Sequence, residues 1–220
     1  MDIRPMGSFR RFETADKVDL SAEEIVKRLE KRRFLPLGGP GDGSPGAVEE
    51  TERWGWITLE HLFDVKFAIE KVVLDPYVCF ALRIDKRKIP QNIMRAFLKI
   101  EEMAHVNATG KKPGPAKRRE LREKVKLDLM AKVLPAAASY QVIWNMAEGL
   151  VFFGAPSDAV AEKFVTQFED TFDVTLIAQT PRHLGLRLLH GDAEAIERAA
   201  PAQFSKESQA SGRMLVGAGA

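Results

Sequence analysis

Apolar and polar positions recur along this chain with two periods, and the change from one to the other separates the predicted elements. Loose alternation with many β-branched and aromatic residues predicts strands, whereas apolar residues three and four apart predict helices. The predicted strands are residues 8–15, 52–60, 63–74, 77–84, 139–146, 149–155, 174–180 and 184–190. The predicted helices begin near residues 21, 91, 115, 157 and 192. This order predicts an α+β fold, in which antiparallel sheets pack against long amphipathic helices.

Three of the helices begin with local signals. Ser21 and Glu24 form a capping box, in which the serine hydroxyl accepts a first-turn amide hydrogen and the glutamate reaches back. Pro115 is a residue favoured at the first helical position, and Ser157 suits an N-cap. The apolar stripes are Ile93, Phe97, Ile100 and Ala104 in the second helix, Leu121, Val125, Leu129 and Val133 in the third, and Val160, Phe164, Phe168 and Phe172 in the fourth.

One glycine-rich segment lacks the pattern of any regular element. Residues 36–52 hold five glycines and three prolines and predict a flexible loop. The segment contains a G-x-G-x-x-G at Gly41, Gly43 and Gly46. A dinucleotide site needs a strand before this motif and a helix after it, and neither flank fits. We therefore interpret the motif as loop.

Domain organisation follows from these segments. Residues 201–220 are rich in Ser, Ala and Gly and predict a disordered tail. The preceding residues, 1–200, are expected to form a single α+β unit. Two subdomains are expected within it, over about residues 1–90 and 91–200.

Composition adds an expectation about size and compartment. With 220 residues, of which 45% are hydrophobic and 29% charged, the chain can bury an ordinary core. Because no apolar run is long enough for a membrane span and the N-terminus lacks a signal-peptide core, we expect a cytoplasmic protein. Cys79 is the single cysteine and lies in an apolar run, where a buried, inert thiol is expected.

The positive charge of the chain is concentrated in one stretch, KKPGPAKRRELREKVK at residues 111–126. The stretch holds eight Lys or Arg and two Glu, whereas the whole chain has a formal net charge of only +2. Without it, 25 basic and 29 acidic residues remain, a net charge of −4. A solvated helix face would explain such a run. A dense basic segment on a mildly acidic body is also typical of proteins that bind phosphates at one face.

A helical wheel divides the basic stretch around the apolar stripe of its helix. Arg119, Arg122 and Lys126 lie on one flank. Lys117 and Lys124 lie on the other. The candidate residues for binding a polyanion are the eight cations Lys111, Lys112, Lys117, Arg118, Arg119, Arg122, Lys124 and Lys126.

Signals for catalysis or metal binding are not found in the sequence. The four histidines have no ligand-like spacing with each other or with Cys79, whereas a metal site needs three or four convergent donors. No P-loop, nucleophile elbow or zinc-protease motif occurs. We therefore expect a binding protein that is not an enzyme and uses no metal or other cofactor.

Four further stretches of the sequence are distinctive: LSAEEIVKRLEKRRFLPLG followed by GWI, RIDKRKIPQNIMRAFLKIEE, KRRELREKVKLDLMAKVLPAAAS and VIWNMAEGLVFFGAPSDAVAEKF. In these stretches and their order the chain resembles the recombination-associated protein RdgC family. The most distinctive feature is the charged helix that runs into Leu134 and Pro135, followed by a strand with Trp144. The resemblance covers roughly residues 8–190 and is that of a short, C-terminally truncated member. Three alanines, Ala136 to Ala138, stand where family members usually have Arg and an aromatic residue.

The resemblance implies an RdgC-like α+β protein that binds double-stranded DNA without marked sequence preference. It also implies a ring-like homodimer with a positively charged inner surface, a nucleoid-associated location, and a role in recombination or replication that limits the access of recombinase to DNA. The charge pattern leaves an alternative open, in which the basic helix binds an acidic recombination or replication partner without direct DNA contact. RNA is not distinguished from DNA by backbone charge.

Overall fold

The structure, a computed structural model, describes residues 8–37, 51–155 and 157–198. Within these ranges the chain forms an α+β fold with seven helices and seven strands, which confirms the predicted class. The strands are β1 (Arg10–Thr14), β2 (Glu52–Ile57), β3 (Val73–Leu74), β4 (Tyr77–Lys86), β5 (Ala136–Asn145), β6 (Leu150–Phe153) and β7 (Leu176–Ala178). The helices are α1 (Ala22–Lys31), α2 (Ile69–Val72), α3 (Gln91–Thr109), α4 (Pro115–Met130), α5 (Asp158–Phe172), α6 (Pro181–Leu188) and α7 (Ala193–Arg198).

The described strands form one antiparallel sheet. Six of them follow the order β2-β4-β5-β6-β1-β7, and β3 pairs with β4. β4 and β5 are the longest strands, and their register runs from Tyr77 opposite Asn145 to Lys86 opposite Ala136. β1 lies between β6 and β7, so the first strand is held by two strands from much later in the chain.

A close backbone approach extends the sheet beyond β2. The Phe34 amide donates to the Trp56 carbonyl, and the Trp56 amide donates to the Arg32 carbonyl. Gly55 makes this approach feasible, because a Cβ at that position would lie 2.6 Å from the Cα of Phe34. The GWI segment of the resemblance is therefore a place where only glycine fits without a backbone shift.

One face of the sheet packs against α1 and α5. The predicted stripe of α5 is confirmed as buried core, and its rings interlock with sheet aromatics. Phe164 stacks on Phe153 with 4.0 Å between ring centroids. The indole Nε1 of Trp56 donates to the Thr171 hydroxyl across 2.8 Å, which satisfies the donor of this fully buried ring. The capping box of α1, Ser21 with Glu24, is also confirmed.

The opposite face has a smaller core that includes a buried ion pair. Arg83 makes a two-point contact with Asp85, through Nε at 2.7 Å and a second guanidinium nitrogen at 2.8 Å. The rings of Phe34 and Phe63 lie against the same guanidinium, with centroids 4.2 and 4.9 Å away. A further guanidinium N–H donates to the Leu62 carbonyl. The loop after β2 is thereby fixed over this face.

Two predicted strands are wrong in part or entirely. The segment at residues 63–74 forms a loop, the short helix α2 and the two-residue strand β3, because Asp64 accepts hydrogen bonds from Thr58, Lys66 and Lys71 and holds the chain in a turn. The segment at residues 184–190 belongs mostly to helix α6, whose N-cap Thr180 accepts from the His183 amide. Pro181 at the first position favours the same start.

The apolar stripe predicted for α3 is exposed. Ile93, Phe97 and Ile100 are exposed to 39%, 43% and 58%, and Met103 on the same face is exposed to 55%. The residue that α3 buries is Met94. The periodicity predicted the helix correctly, but this stripe does not contribute to the core of the described chain.

The chain divides into two compact units, the first ending at Ala178 and the second beginning at Gln179. The second contains α6 and α7, which pack on each other. The sheet of the first unit takes strands from both sides of residue 90. Most of the predicted loop at 36–52, including its G-x-G-x-x-G, and the predicted tail at 201–220 lie outside the described residues.

Candidate nucleic-acid interface on the α3–α4 hairpin

Helices α3 and α4 form a hairpin that presents the basic stretch. α3 ends at Gly110, which has a left-handed backbone with φ of 68° and donates its amide to the Val106 carbonyl. The turn carries Lys111 and Lys112, and α4 begins at Pro115 as predicted. The stretch therefore spans the tip of the hairpin and most of its second helix.

A narrow apolar seam holds the hairpin together. Leu121, Val125 and Leu129 of α4 are buried, and the last two pack with Met94 of α3. These three leucine and valine positions belong to the predicted stripe, whereas the fourth, Val133, lies beyond the end of the helix at Met130. The apolar side of α4 is thus covered by its own chain, and the cations remain on the outside.

Four of the eight predicted cations form ion pairs with glutamates. Two pairs lie within α4: Lys117 with Glu120 at 2.6 Å, and Lys126 with Glu123 at 3.7 Å. Two pairs cross to α3: Arg118 with Glu102 at 2.7 Å, and Lys124 with Glu101 at 3.2 Å. Such exposed pairs add little stability, but each glutamate lowers the positive potential of its partner.

The other four cations have no carboxylate partner within the described part of the chain. They are Lys111, Lys112, Arg119 and Arg122. Arg119 and Arg122 are three residues apart on α4 and line one shallow groove of about 390 Å³ with Pro113 and Pro115. Arg118, which pairs with Glu102, lines the same groove. Its other two guanidinium groups have no carboxylate partner among the described residues, and they suit a pair of phosphate oxygens on neighbouring nucleotides.

Lys99 on α3 was not among the predicted site residues. It borders a second groove, which Glu102, Lys112 and Arg118 also line and which shares Pro113 and Arg118 with the first. Arg95 precedes it by one helical turn. This four-residue spacing of two cations is visible in the sequence and could have indicated them, but the more prominent apolar stripe of α3 was the feature on which its prediction rested.

Three other features bear on function: metal ligands, membrane-spanning helices and the cysteine thiol. Among the residues that the structure describes, no three His, Cys, Asp or Glu side chains are grouped as a metal site requires. None of the described helices is long and apolar enough to cross a membrane. Cys79 is buried as predicted, and burial raises the pKa of its thiol to about 11, which keeps it protonated.

A family model described as "Putative exonuclease, RdgC" matches residues 8–183, most of the chain. The chain belongs to the RdgC family. This membership confirms the resemblance carried by the four sequence stretches, and it associates the protein with DNA recombination. The match extends over the sheet, α1 to α5 and the whole α3–α4 hairpin. A search among curated proteins finds none that matches.

Proposed function

We propose that this RdgC-family protein binds double-stranded DNA without sequence preference, through the outer surface of the α3–α4 hairpin. Its role is in recombination and replication, where bound protein limits the access of recombinase to DNA. Family membership supports a role in recombination. The cations of the hairpin support DNA as the ligand.

The observation that carries the proposal is the pair Arg119 and Arg122. Both line one groove, and neither forms an ion pair with a carboxylate of the described residues. Arginine suits phosphate because its planar fork donates two parallel hydrogen bonds. Each phosphate that is neutralised releases condensed counterions, and that release drives binding to any sequence. Base edges play no part in this mode of binding.

The test is a salt titration of duplex affinity with unrelated sequences. Replacing Arg119 and Arg122 by Gln is expected to weaken binding and to flatten the slope of log K against log salt by about 1.8, because each phosphate that is no longer neutralised reduces the slope by about 0.9. Electrophoretic mobility shift or fluorescence anisotropy measures this slope.

A matched control is the double variant Lys117→Gln and Lys126→Gln. It removes the same charge from the same helix, but from cations that already have glutamate partners. We expect a smaller change in slope than for the arginine pair. Equal slopes for the two double variants would contradict the assignment of Arg119 and Arg122. If the wild-type protein shifts no duplex at low salt, the alternative of an acidic protein partner gains support instead.

The family description raises the question of nuclease activity. We propose that the protein acts on DNA by binding alone. A 5′-labelled linear duplex incubated with Mg²⁺ or Mn²⁺ is expected to keep its length. Exonuclease activity would release mononucleotides. If this activity co-purifies with the protein and is lost in the variant with Arg119 and Arg122 replaced by Gln, this part of the proposal is wrong.

We further propose that the protein is a homodimer and that it is cytoplasmic and associated with the nucleoid. The exposed apolar stripe of α3 supports self-association, because a face of this kind is usually covered in a working assembly. Two hairpins brought together would also present two sets of cations to one duplex. Recombinase is then excluded by occupancy of the DNA rather than by direct contact.

A further inference from the structure

Strand β5 has an open edge over its first half. β6 pairs with β5 only from Val142 to Asn145, and the last hydrogen bond on that side comes from the Gly154 amide, which donates to the Gln141 carbonyl across 2.9 Å. Before Gln141, β5 is paired with β4 alone among the described residues. Residues 136–139 are exposed.

The direction of the backbone groups at this edge follows from the alternation of an antiparallel ladder. The Gln141 carbonyl points towards β6, so the N–H and C=O groups of residues two and four earlier point the same way. Those residues are Ser139 and Ala137. Their peptide groups therefore face outward, in the line of β6, without a backbone partner in the described chain.

A groove lies beside this open edge, on the sheet face that carries Arg83. Its volume is about 360 Å³. Ala81, Ala137 and Ser139 form a floor of small side chains, and the loop at residues 57–62 forms the wall. Gln141 closes one end, and its side-chain oxygen Oε1 is buried and accepts no hydrogen bond from a described residue.

We propose that this edge and groove bind an extended peptide segment of a protein partner by strand addition. The peptide backbone pairs with the outward peptide groups of Ala137 and Ser139. In an antiparallel ladder, directly opposed side chains point to the same face, so the peptide residue opposite Ser139 points to the groove. Main-chain hydrogen bonds supply affinity, and the groove supplies selectivity.

The shape of the groove decides between a partner peptide and a second copy of this chain. A second copy paired at the same edge would place Ala137 or Ser139 over the groove. These small side chains would leave most of the 360 Å³ empty. The groove instead fits a long side chain with an apolar body, against Ile57 and Leu62, and a hydrogen-bond donor at its tip. Tyrosine has this chemistry.

The experiment uses three capped, fluorescein-labelled pentapeptides of sequence Thr-Val-X-Val-Thr, where X is tyrosine, phenylalanine or N-methyltyrosine. Fluorescence anisotropy measures affinity, and amide hydrogen exchange of the full chain maps the site. We expect the tyrosine peptide to bind and to protect the amides of Ala137 and Ser139. The phenylalanine peptide is expected to bind about tenfold more weakly, since it leaves Gln141 without a donor. The N-methyltyrosine peptide, which lacks the central N–H, is expected not to bind.

Two variants separate the backbone contribution from the groove. Ser139→Pro removes an outward N–H and leaves the β4 ladder intact, so it should abolish binding while circular dichroism stays unchanged. Gln141→Leu keeps the shape and removes the acceptor, so it should abolish the preference for tyrosine over phenylalanine. Equal binding of the tyrosine and N-methyltyrosine peptides would overturn the proposal. So would protection of the Ala137 and Ser139 amides in a dimer without peptide, because a second copy would then occupy the edge.

Discussion

At the scale of single residues, Asp64 is a buried carboxylate that organises the loop over the second face of the sheet. Thr58 donates its hydroxyl across 2.7 Å, Lys71 its ammonium across 2.8 Å, and Lys66 its amide across 3.0 Å. Burial alone would raise the pKa of Asp64, but the hydrogen bonds from Lys71, Thr58 and Lys66 outweigh it and hold the pKa well below its usual range. The ionised form therefore stabilises the fold.

The variant Asp64→Asn tests this contribution. Because the folded-state pKa is depressed, the stabilisation is fully present above the unfolded-state pKa of about 3.9 and is lost as pH falls towards the folded-state value. We expect the free energy of unfolding at pH 7 to fall by on the order of 2 kcal/mol. The difference from wild type should shrink at pH 3. Urea denaturation at the two pH values measures both quantities.

Glu70→Gln is the matched control, since Glu70 is exposed and carries the same charge. Its effect should stay within about 0.5 kcal/mol at either pH. A loss for Asp64→Asn that is equal at pH 7 and pH 3 would show that the second acceptor oxygen, which the amide lacks, and not the charge, stabilises the loop.

Residues whose partners are three or four positions away were predictable, and residues with distant partners were not. Ser21 and Glu24 make their capping box because both groups lie within one turn. Ser157 occupies its predicted N-cap position, but its side chain makes no capping hydrogen bond. The ion pairs of Arg118 and Lys124 were hidden, because their partners, Glu102 and Glu101, come from another helix.

At the scale of elements, periodicity located long helices well and short elements poorly. Helices α3, α4 and α5 start within one residue of their predicted positions, since their apolar stripes extend over several turns. The segment at residues 63–74 is rich in apolar residues, but periodicity does not reveal the turn that Asp64 holds within it. Periodicity also gives no information about which helix face meets a neighbour. For this reason the sequence predicted the apolar stripe of α3 but not that this stripe is exposed.

The α3–α4 hairpin is joined by a small core, and it should open more readily than the sheet. Leu129→Ala is expected to remove about 2 kcal/mol of packing from the cluster with Met94 and Val125. Amides of α3 and α4 should then exchange about thirtyfold faster. Amides of β4 and β5 should keep their protection, which hydrogen exchange with mass spectrometry can resolve.

Leu127→Ala provides the comparison, because Leu127 lies on the same helix and is 45% exposed. It should change hairpin exchange little. If Leu129→Ala accelerates exchange in the sheet and the hairpin equally, the two open as one cooperative unit, and the idea of a separately opening hairpin is wrong.

At the scale of the whole molecule, the exposed stripe of α3 leads to a prediction about assembly. The double variant Phe97→Glu and Ile100→Glu places two charges on the stripe without touching the buried Met94. If the stripe mediates the proposed homodimer, light scattering after gel filtration should change from the mass of a dimer to that of a monomer. The dissociation should be nearly complete, because burying two unpaired glutamate carboxylates in the interface carries a large desolvation penalty.

The control for assembly is Gln91→Glu with Asn92→Glu, which adds two charges to the same helix at exposed polar positions. This variant should remain dimeric. A wild-type protein that is monomeric at high concentration would remove the basis for the homodimer, although the salt-dependent binding of DNA would remain testable by itself.

The position of β1 in the sheet has a consequence for synthesis. Its first partner along the chain is β6, and Arg10 lies opposite Phe153. A ribosome adds about 5–20 residues per second, so the N-terminal strand waits on the order of 10 s for a partner. Its second partner, at Leu176, comes later still. Until then the emerging polypeptide exposes the apolar side of Phe12. We expect a nascent chain stalled before Leu150 to recruit chaperones that no longer bind once Ala178 has left the ribosome.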